Sequence, residues 1–273
     1  MQTGYYAAAS GMVVQFNRLD TIANNLANVN TNGFKQDNVV IGDFMSVYKE
    51  ARDELPHANQ TEDGAQFLNR TMTKTPHIVD QYTNHSIGSM QKTDNSFDFA
   101  LQKEGLFFLV KTPEGVRLTR DGGFVKNEEG VLTTKQGYEV LPDDYFLAKS
   151  NIAFSAEDTI VEADKNGQLY TNIPNTFAQE PSKKLFIANP DNLNMLQKVG
   201  DNLYEYKGEE ELKSIQDSGA VSQGFIEKSN VNAVRMMTQM IETNRLVGMY
   251  QKAMDTQMNE MNREAIDKIA AKS

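Results

Sequence analysis

The side chains with the clearest capacity for chemistry are the three histidines, His57, His77 and His85, the only ones in the sequence. Carboxylates that could share a metal ion with them lie nearby: Asp53, Glu54, Asp63 and Asp80. The histidines are 20 and 8 residues apart, and these spacings match no ligand pattern, because paired metal ligands usually lie only a few residues from each other. We therefore expect no metal site.

A second group of oxygen-bearing side chains resembles the start of a calcium-binding loop. It consists of Glu162, Asp164, Asn166 and Gly167. The twelfth position of such a loop holds a bidentate glutamate, but here it is Ile173. No flanking helices are suggested either, so the pattern predicts a β-turn.

Patterns for nucleophilic or phosphate chemistry are missing from the sequence. It contains no Gly-x-Ser-x-Gly, no phosphate-binding loop and no cysteine. The adjacent carboxylates Asp143 and Asp144 follow Pro142 in a predicted turn, where such pairs are usually just solvated. We expect no enzymatic activity and no cofactor.

Composition narrows the possible partners. The 273 residues are 39% hydrophobic and carry a net charge of -10, which allows a core but argues against a nucleic-acid partner. The longest strongly apolar run, Leu106 to Val110, is too short to cross a membrane. The opening residues lack the charged start and apolar core of a cleavable secretory signal. We expect neither membrane insertion nor signal cleavage.

The two ends of the chain differ from its middle. Residues 1–35 carry two basic and one acidic side chain and residues 224–273 carry seven and six, so the middle has a net charge of -12. Methionines concentrate in the last 38 residues, whereas glycine turns crowd the middle. These differences predict helical ends around a β-rich centre.

The N-terminal end has the spacing of an amphipathic helix. Apolar residues recur every seven positions, with others four positions later: Tyr5, Met12, Leu19 and Leu26, then Ala9, Phe16 and Ala23. Asn32 and Gly33 are predicted to stop this helix in a left-handed conformation. Asparagines on the opposite face are poor helix formers, so the helix needs support from packing.

The C-terminal end predicts a longer helix. Ser229 or Asn230 could cap it, and it would start near Val231 and run without proline to the last residues. Its apolar positions follow an eleven-residue repeat, which favours a straight or slightly right-handed bundle: Val247, Tyr250, Met254, Met258, Met261, Ala265 and Ile269. An earlier group continues on much the same side: Val234, Met237, Met240 and Ile241.

Two explanations of these apolar stripes remain open. The helices could pair with each other as an ordinary hairpin inside one monomer. Two helices alone are marginal in stability, so the stripes could instead pack against other copies or partners.

Between the ends, short strand-like segments alternate with turns. They predict an antiparallel meander over residues 97–101, 105–110, 116–120, 123–126 and 131–134. Further strands are expected at residues 152–154, 159–162, 168–171, 184–188 and 203–206. The expected fold class is α+β, with paired long terminal helices (1–35 and 224–273), a connecting arm (36–85 and 207–223) and a central antiparallel β domain (86–206).

Three motifs carry a resemblance to a known family. Gly4–Met12 and Leu19–Lys35 look like the N-terminal signature of the bacterial flagellar rod and hook proteins. Gly105–Phe108 followed by Thr119–Phe124 resembles their central β motif, and Gly224–Val231 resembles the signature before their last helix. The resemblance covers both ends and the centre in the correct order. Ile226 replaces a usual leucine, and Arg235 stands where an acidic residue is common.

The resemblance implies a structural rod subunit of the proximal or distal kind, and we favour the proximal one. Such subunits leave the cell unfolded through the flagellar type III export apparatus, without signal cleavage, and polymerise helically in the periplasm with copies of themselves and other rod and hook proteins. Their terminal helices form an inner tube around the export channel, and the β domain lies outside.

On this interpretation both helices supply the assembly interface. The predicted residues are Tyr5, Met12, Phe16, Leu19, Ile22, Asn24, Asn25, Leu26, Asn28, Ser229, Asn230, Val231, Val234, Ile241, Val247, Met254 and Met261. The apolar ones would pack in the inner tube, and the asparagines and Ser229 would fix the register. Alternatively, the apolar residues form only an internal core and the asparagines are merely solvated. A more distant functional alternative is a soluble β-domain enzyme whose helices dimerise.

Overall fold

A computed structural model of the chain describes residues 2–43, 76–154, 161–172, 179–208, 212–215 and 219–270. The fold is α+β, with a helix near each end and antiparallel strands between them. The helices are α1 (Gln2–Ala27), the single turn α2 (Tyr145–Ala148) and α3 (Ala233–Ala270). No helix in the described ranges combines the length and apolarity needed to cross a membrane.

The strands are mostly short. In chain order they are β1 (Asp37–Asp43), β2 (Pro76–Thr83), β3 (Met90–Lys92), β4 (Phe99–Leu101), β5 (Phe107–Thr112), β6 (Gly115–Thr119), β7 (Val125–Lys126), β8 (Leu132–Thr133), β9 (Glu139–Val140), β10 (Val161–Ala163), β11 (Gln168–Asn172), β12 (Gln179–Lys184), β13 (Ile187–Ala188), β14 (Leu196–Gly200), β15 (Leu203–Tyr206), β16 (Val221–Gln223) and β17 (Phe225–Glu227). A 3-10 turn, Leu193–Met195, precedes β14.

The chain divides into two compact units. The helical unit comprises residues 1–27, 37–82 and 232–273, and its described elements are α1, α3 and the β1–β2 ribbon. The β unit comprises residues 28–36 and 83–231. The three-part division into terminal helices, arm and β domain stays a prediction.

The β unit is built around one large antiparallel sheet, ordered β14-β15-β6-β5-β9-β8-β7, with β13 pairing to β5. A three-stranded sheet, β10-β11-β12, and two strand pairs, β4–β16 and β3–β17, complete it. The core includes Phe99, Phe108, Leu132 and Leu185, which are almost completely buried. The expected simple meander is wrong, because β4 pairs with β16 from the other end of the unit instead of with β5.

Both predicted helices exist, but their ends differ from the expectation. α1 stops at Ala27, where a turn closes with the N–H of Thr31 donating to the carbonyl of Asn28. Gly33 is left-handed, with φ 67°, but it lies after this turn and does not stop the helix. α3 begins at Ala233, and its cap is Asn232, whose side-chain oxygen accepts the N–H of Arg235. Neither Ser229 nor Asn230 caps it.

Candidate assembly site

The helical unit is held together by an antiparallel seam between α1 and α3. Gly4 lies beside the side chain of Gln257, and Gly11 lies against the ring of Tyr250. A Cβ atom built on Gly11 would stand 2.6 Å from that ring, so the glycine is what permits this close approach. The two pairs run in opposite chain directions with the same seven-residue step.

The face of α1 buried in the unit is shifted by one position from the predicted stripe. Val14, Gln15, Ile22 and Asn25 are buried, together with Gly11. The expected apolar line is only half-buried at Tyr5, Met12, Leu19 and Leu26, and Phe16 is 42% exposed. One residue corresponds to about 100° around a helix, so the apolar stripe flanks the buried face instead of forming it.

On α3 the eleven-residue repeat holds only in part. One series of positions withdrawn from solvent alternates by three and four residues, and it includes Val247, Tyr250, Met254 and Met261 of the repeat: Met236, Met240, Thr243, Val247, Tyr250, Met254, Gln257, Met261 and Glu264. Half-buried positions outside this series are Ala233, Gln239, Leu246 and Gly248. Met258 and Ile269, which the repeat assigned to the packed face, are exposed. Ile241 is 62% exposed and Val234 is 74% exposed in the single chain, and their packing against other subunits stays a prediction.

The seam between the helices contains polar atoms without hydrogen bonds. Within the described residues, the side-chain oxygens of Gln15, Thr243 and Gln257 are buried and have no hydrogen-bond partner. An unmade buried hydrogen bond typically costs about 1–3 kcal/mol, so the α1–α3 contact in a single chain is not an optimised core.

The predicted asparagines have different environments. Asn25 is buried and clamps β1, because its amide donates to the carbonyl of Asp37 at 2.7 Å and its oxygen accepts the N–H of Asp37 at 2.9 Å. Asn28 accepts a hydrogen bond from the hydroxyl of Thr31. Asn24 is exposed.

In the β unit, Asn230 joins the segment after α1 to the segment before α3. Its oxygen accepts the N–H of Gln36, its own N–H donates to the carbonyl of Phe34, and its amide reaches the carbonyl of Asn84. Ser229 and Val231 are buried, and the Ser229 hydroxyl accepts the N–H of Val231.

A buried charge cluster lies at the same place in the β unit. Glu227 receives Lys35 Nζ on one carboxylate oxygen at 2.6 Å and Arg120 Nε on the other at 2.5 Å. All three side chains are 1% exposed. Lys35 and Glu227 are 192 positions apart in sequence, and Arg120 and Glu227 are 107 apart.

The cluster makes further bonds to the backbone of four residues. Lys35 Nζ donates to the carbonyl of Ser86 at 2.7 Å, and the N–H of Gly88 donates to the Glu227 carboxylate at 2.8 Å. The Arg120 guanidinium donates to the carbonyls of Leu101 and Leu106. Buried charges are tolerated only when they are paired and hydrogen-bonded in this way.

Burial dominates the electrostatics of this region. It lowers the pKa of Lys35 below the usual lysine value, although the neighbouring Glu227 carboxylate opposes the shift. Burial also raises the pKa of Asp121, next to Arg120 in sequence, and the hydrogen bond from the Gly123 N–H opposes that change.

The residues considered for metal chemistry do not form a site in the described part of the chain, where no group of three suitable ligands is found. His57, Asp53, Glu54 and Asp63 lie outside the described residues. The suspected calcium loop is a β-turn between β10 and β11, as predicted: the carboxylate of Asp164 accepts the N–H groups of Asn166 and Gln168.

Known protein families match three parts of the chain. Residues 6–35 match the flagella basal body rod protein family, residues 100–172 the flagellar hook protein FlgE/F/G D1 domain, and residues 222–267 the flagellar basal body rod FlgEFG protein C-terminal family. The chain is 32% identical to the flagellar basal-body rod protein FlgG of Borreliella burgdorferi over 95% of this chain and 96% of that protein.

The chain belongs to the flagellar basal-body rod protein family. Two other relatives are FlgG of Buchnera aphidicola from Baizongia pistaciae, 30% identical over 92% of this chain and 94% of that protein, and FlgF of Caulobacter vibrioides, 29% identical over 98% of both. The rod family is structural and not enzymatic, so the alternative of a β-domain enzyme is removed.

Each of the three matched regions contains one residue of the charge cluster. Lys35 ends the N-terminal match, Arg120 lies in the central one and Glu227 in the C-terminal one. All three residues lie inside the signature motifs, and the sequence alone assigns them no role. Each of these motifs contains two charged residues of opposite sign, Asp20 and Lys35, Arg120 and Asp121, and Glu227 and Lys228, so the sequence does not indicate which charges meet.

Proposed function

We propose that this chain is a structural subunit of the flagellar rod that polymerises helically through α1 and α3, so that its helices line the export channel inside the drive shaft. The family membership supports a rod role. The exposed apolar face of the two helices supports their use as the polymerising surface.

That exposed face is the observation that carries the proposal. Within the helical unit, large apolar side chains remain open to solvent on both helices: Tyr6, Val13 and Phe16 on α1, and Val234, Met237, Ile241, Met249, Met258, Ile266 and Ile269 on α3. A soluble protein that works alone rarely exposes so many neighbouring apolar side chains, so their burial against other helices is favoured.

The composition of the seam points in the same direction. α1 uses Gly11, Gln15 and Asn25 toward the inside of the unit, while the apolar line through Met12 and Leu19 stays only half-covered. Helical neighbours would complete the burial of this line. The predicted interface residues thus fall into two groups, those already packed within the chain, such as Ile22 and Val247, and those left for other copies.

The partners follow from this arrangement. We propose copies of this chain and other rod and hook proteins as axial neighbours, the type III export apparatus as the route out of the cell, and the periplasmic rod of the basal body as the location. Contacts that repeat head to tail without closing build a filament. The middle of the chain, with its net charge of -12, would face outward and keep unassembled subunits apart.

The proposal is tested by placing charges on the exposed helix face. Val234→Asp and Ile241→Asp alter side chains that barely contribute to the fold of the single chain, so each variant should fold and be exported normally. Each should nevertheless fail to enter the rod, because assembly would bury the new charge. Immunoblots of purified basal bodies and of the periplasm, together with swimming assays, measure incorporation and export separately.

Asn244→Asp is the matched control, because it adds the same charge to an exposed polar position of the same helix. It should support nearly normal incorporation. Wild-type amounts of the Val234→Asp and Ile241→Asp subunits in purified rods would refute this use of the helices, and complete rods in cells that lack the protein would refute the rod function.

A further inference from the structure

The charge cluster joins parts of the β unit that are far apart in sequence. Segment 28–36 follows α1 directly, segment 224–231 ends just before α3, and Arg120 follows β6. One carboxylate, that of Glu227, connects all three, and the N–H of Gly33 also donates to the carbonyl of Glu227 at 2.8 Å.

The backbone around the cluster leaves little freedom to rearrange. A Cβ atom on Gly88 would overlap the carbonyl oxygen of Lys228, and one on Gly33 would stand 2.5 Å from the carbonyl carbon of Arg120. The segments therefore meet backbone to backbone, at residues adjacent or close in sequence to the three charged ones. A segment cannot detach from the β unit without breaking its hydrogen bonds or ion pairs to another of these segments.

The charges make partial opening costly. The cluster holds two cations and one anion, all nearly excluded from water. If segment 28–36 detached, Glu227 would lose Lys35 and the N–H of Gly33 would lose its acceptor. If segment 224–231 detached, both cations would lose their only carboxylate in the cluster. A buried ion without its partner is strongly unfavourable.

We propose that Lys35, Arg120 and Glu227 form a latch that closes the β unit, so that segments 28–36, 86–90, 99–106 and 224–231 open and close together as one cooperative element. Because of the latch, the β unit stays closed only when both segments that adjoin the helices, 28–36 and 224–231, are in place. This inference concerns how one subunit closes, and it stands apart from the proposed rod function, which its failure would leave intact.

Hydrogen exchange on the full-length chain, followed by mass spectrometry of its peptides, tests the latch. In Glu227→Gln, amide exchange should rise together, by about tenfold or more, in all four segments, since opening equilibria scale exchange directly. Peptides from β10 and β11, which the cluster does not touch, should change by less than about twofold.

Lys35→Met is the second variant, and it keeps the Arg120–Glu227 pair. It should raise exchange not only near residue 35 but also in segments 86–90 and 224–231. Glu139→Gln is the matched control: it removes one carboxylate from a more exposed ion pair with Lys111 in the same unit, and exchange in all four segments should stay at the wild-type level.

Two results would overturn the latch. One is faster exchange confined to the peptide that carries the substitution, in either variant. The other is an equal response to Glu139→Gln, which would show that any lost carboxylate loosens the unit. If Glu227→Gln does not fold, the response of distant segments to Lys35→Met decides the matter alone.

Discussion

At the scale of single residues, the β unit contains carboxylates in contrasting environments close to each other. Glu227 is balanced by two cations. Asp121 has no ion pair among the described contacts, and it accepts the N–H of Gly123 in a tight turn. Its raised pKa follows from burial, so the charged form of Asp121 is a cost to the folded chain.

This cost predicts a pH-dependent effect of Asp121→Asn. The folded state holds the Asp121 proton more tightly than the unfolded chain. The resulting stability is fully present below the unfolded pKa, about 3.9, and is lost as the pH rises through the folded pKa. Asparagine retains the acceptor without the charge, so the variant should show a higher urea midpoint than wild type at pH 7. The difference in urea midpoint between the variant and the wild type should disappear as the pH falls below about 4.

Circular dichroism of full-length chains in urea at several pH values measures this effect. Asp191→Asn is the control, because Asp191 is exposed in the same unit and its substitution should change the midpoint little at any pH. An Asp121→Asn midpoint at pH 7 equal to or below that of wild type would contradict the burial argument.

At the residue scale, local turns follow from the sequence, whereas contacts between distant charges do not. The turn at Asp164 was predictable, because the residues that form it are adjacent and their preferences are local. The meeting of Lys35, Arg120 and Glu227 was not. Each charge has an ordinary local context, and only the folded β unit brings together positions separated by 107 and 192 residues.

At the scale of elements, periodicity predicts both helices and many of the strands, but the stripe that it favours on α1 lies beside the face that is buried within the chain. Periodicity gives weight to large apolar side chains, whereas the buried face of α1 also includes Gly11, Gln15 and Asn25. Gly11 allows the ring of Tyr250 to approach, and such close packing decides which face turns inward. On α1, such a close approach favours a small residue, which hydrophobic periodicity does not detect.

Two glycine substitutions on these helices should have opposite effects. Gly248→Ala puts a methyl group into open space inside α3 and should stabilise the helix by about 1 kcal/mol, the usual difference in helix propensity. Gly11→Ala has the same propensity gain but forces the Tyr250 ring to move. Overpacking typically costs about 1–3 kcal/mol, so we expect a net loss or no gain.

The pair of variants is its own control, because the chemical change is identical. The melting temperature of the full-length chain, measured by the helical circular dichroism signal, should rise for Gly248→Ala and not for Gly11→Ala. If Gly11→Ala raised the melting temperature as much as Gly248→Ala does, the close contact between α1 and α3 in the isolated chain would be disproved.

At the scale of the whole molecule, the two helices of the helical unit differ in length: α1 has 26 residues and α3 has 38. Gly4, in the first turn of α1, lies beside Gln257, and α3 continues from there to Ala270. This last stretch of α3 is about 20 Å long. Ile266 and Ile269 are exposed there. Exposed isoleucines add no stability to a single chain, because their side chains are not buried.

The exposure of Ile266 and Ile269 predicts that the end of α3 serves assembly and not the single chain. Ile266→Ser combined with Ile269→Ser should leave the melting curve of the isolated subunit unchanged. Burying two isoleucines contributes roughly 3–6 kcal/mol, so incorporation into the rod should fall on the order of a hundredfold, as measured by quantitative immunoblots of purified basal bodies. Asn262→Ser, an exposed polar change on the same stretch, should be incorporated normally. If the double variant entered rods as well as this control, the end of α3 would have no part in the interface, and assembly would rest on the exposed face nearer Val234 and Ile241.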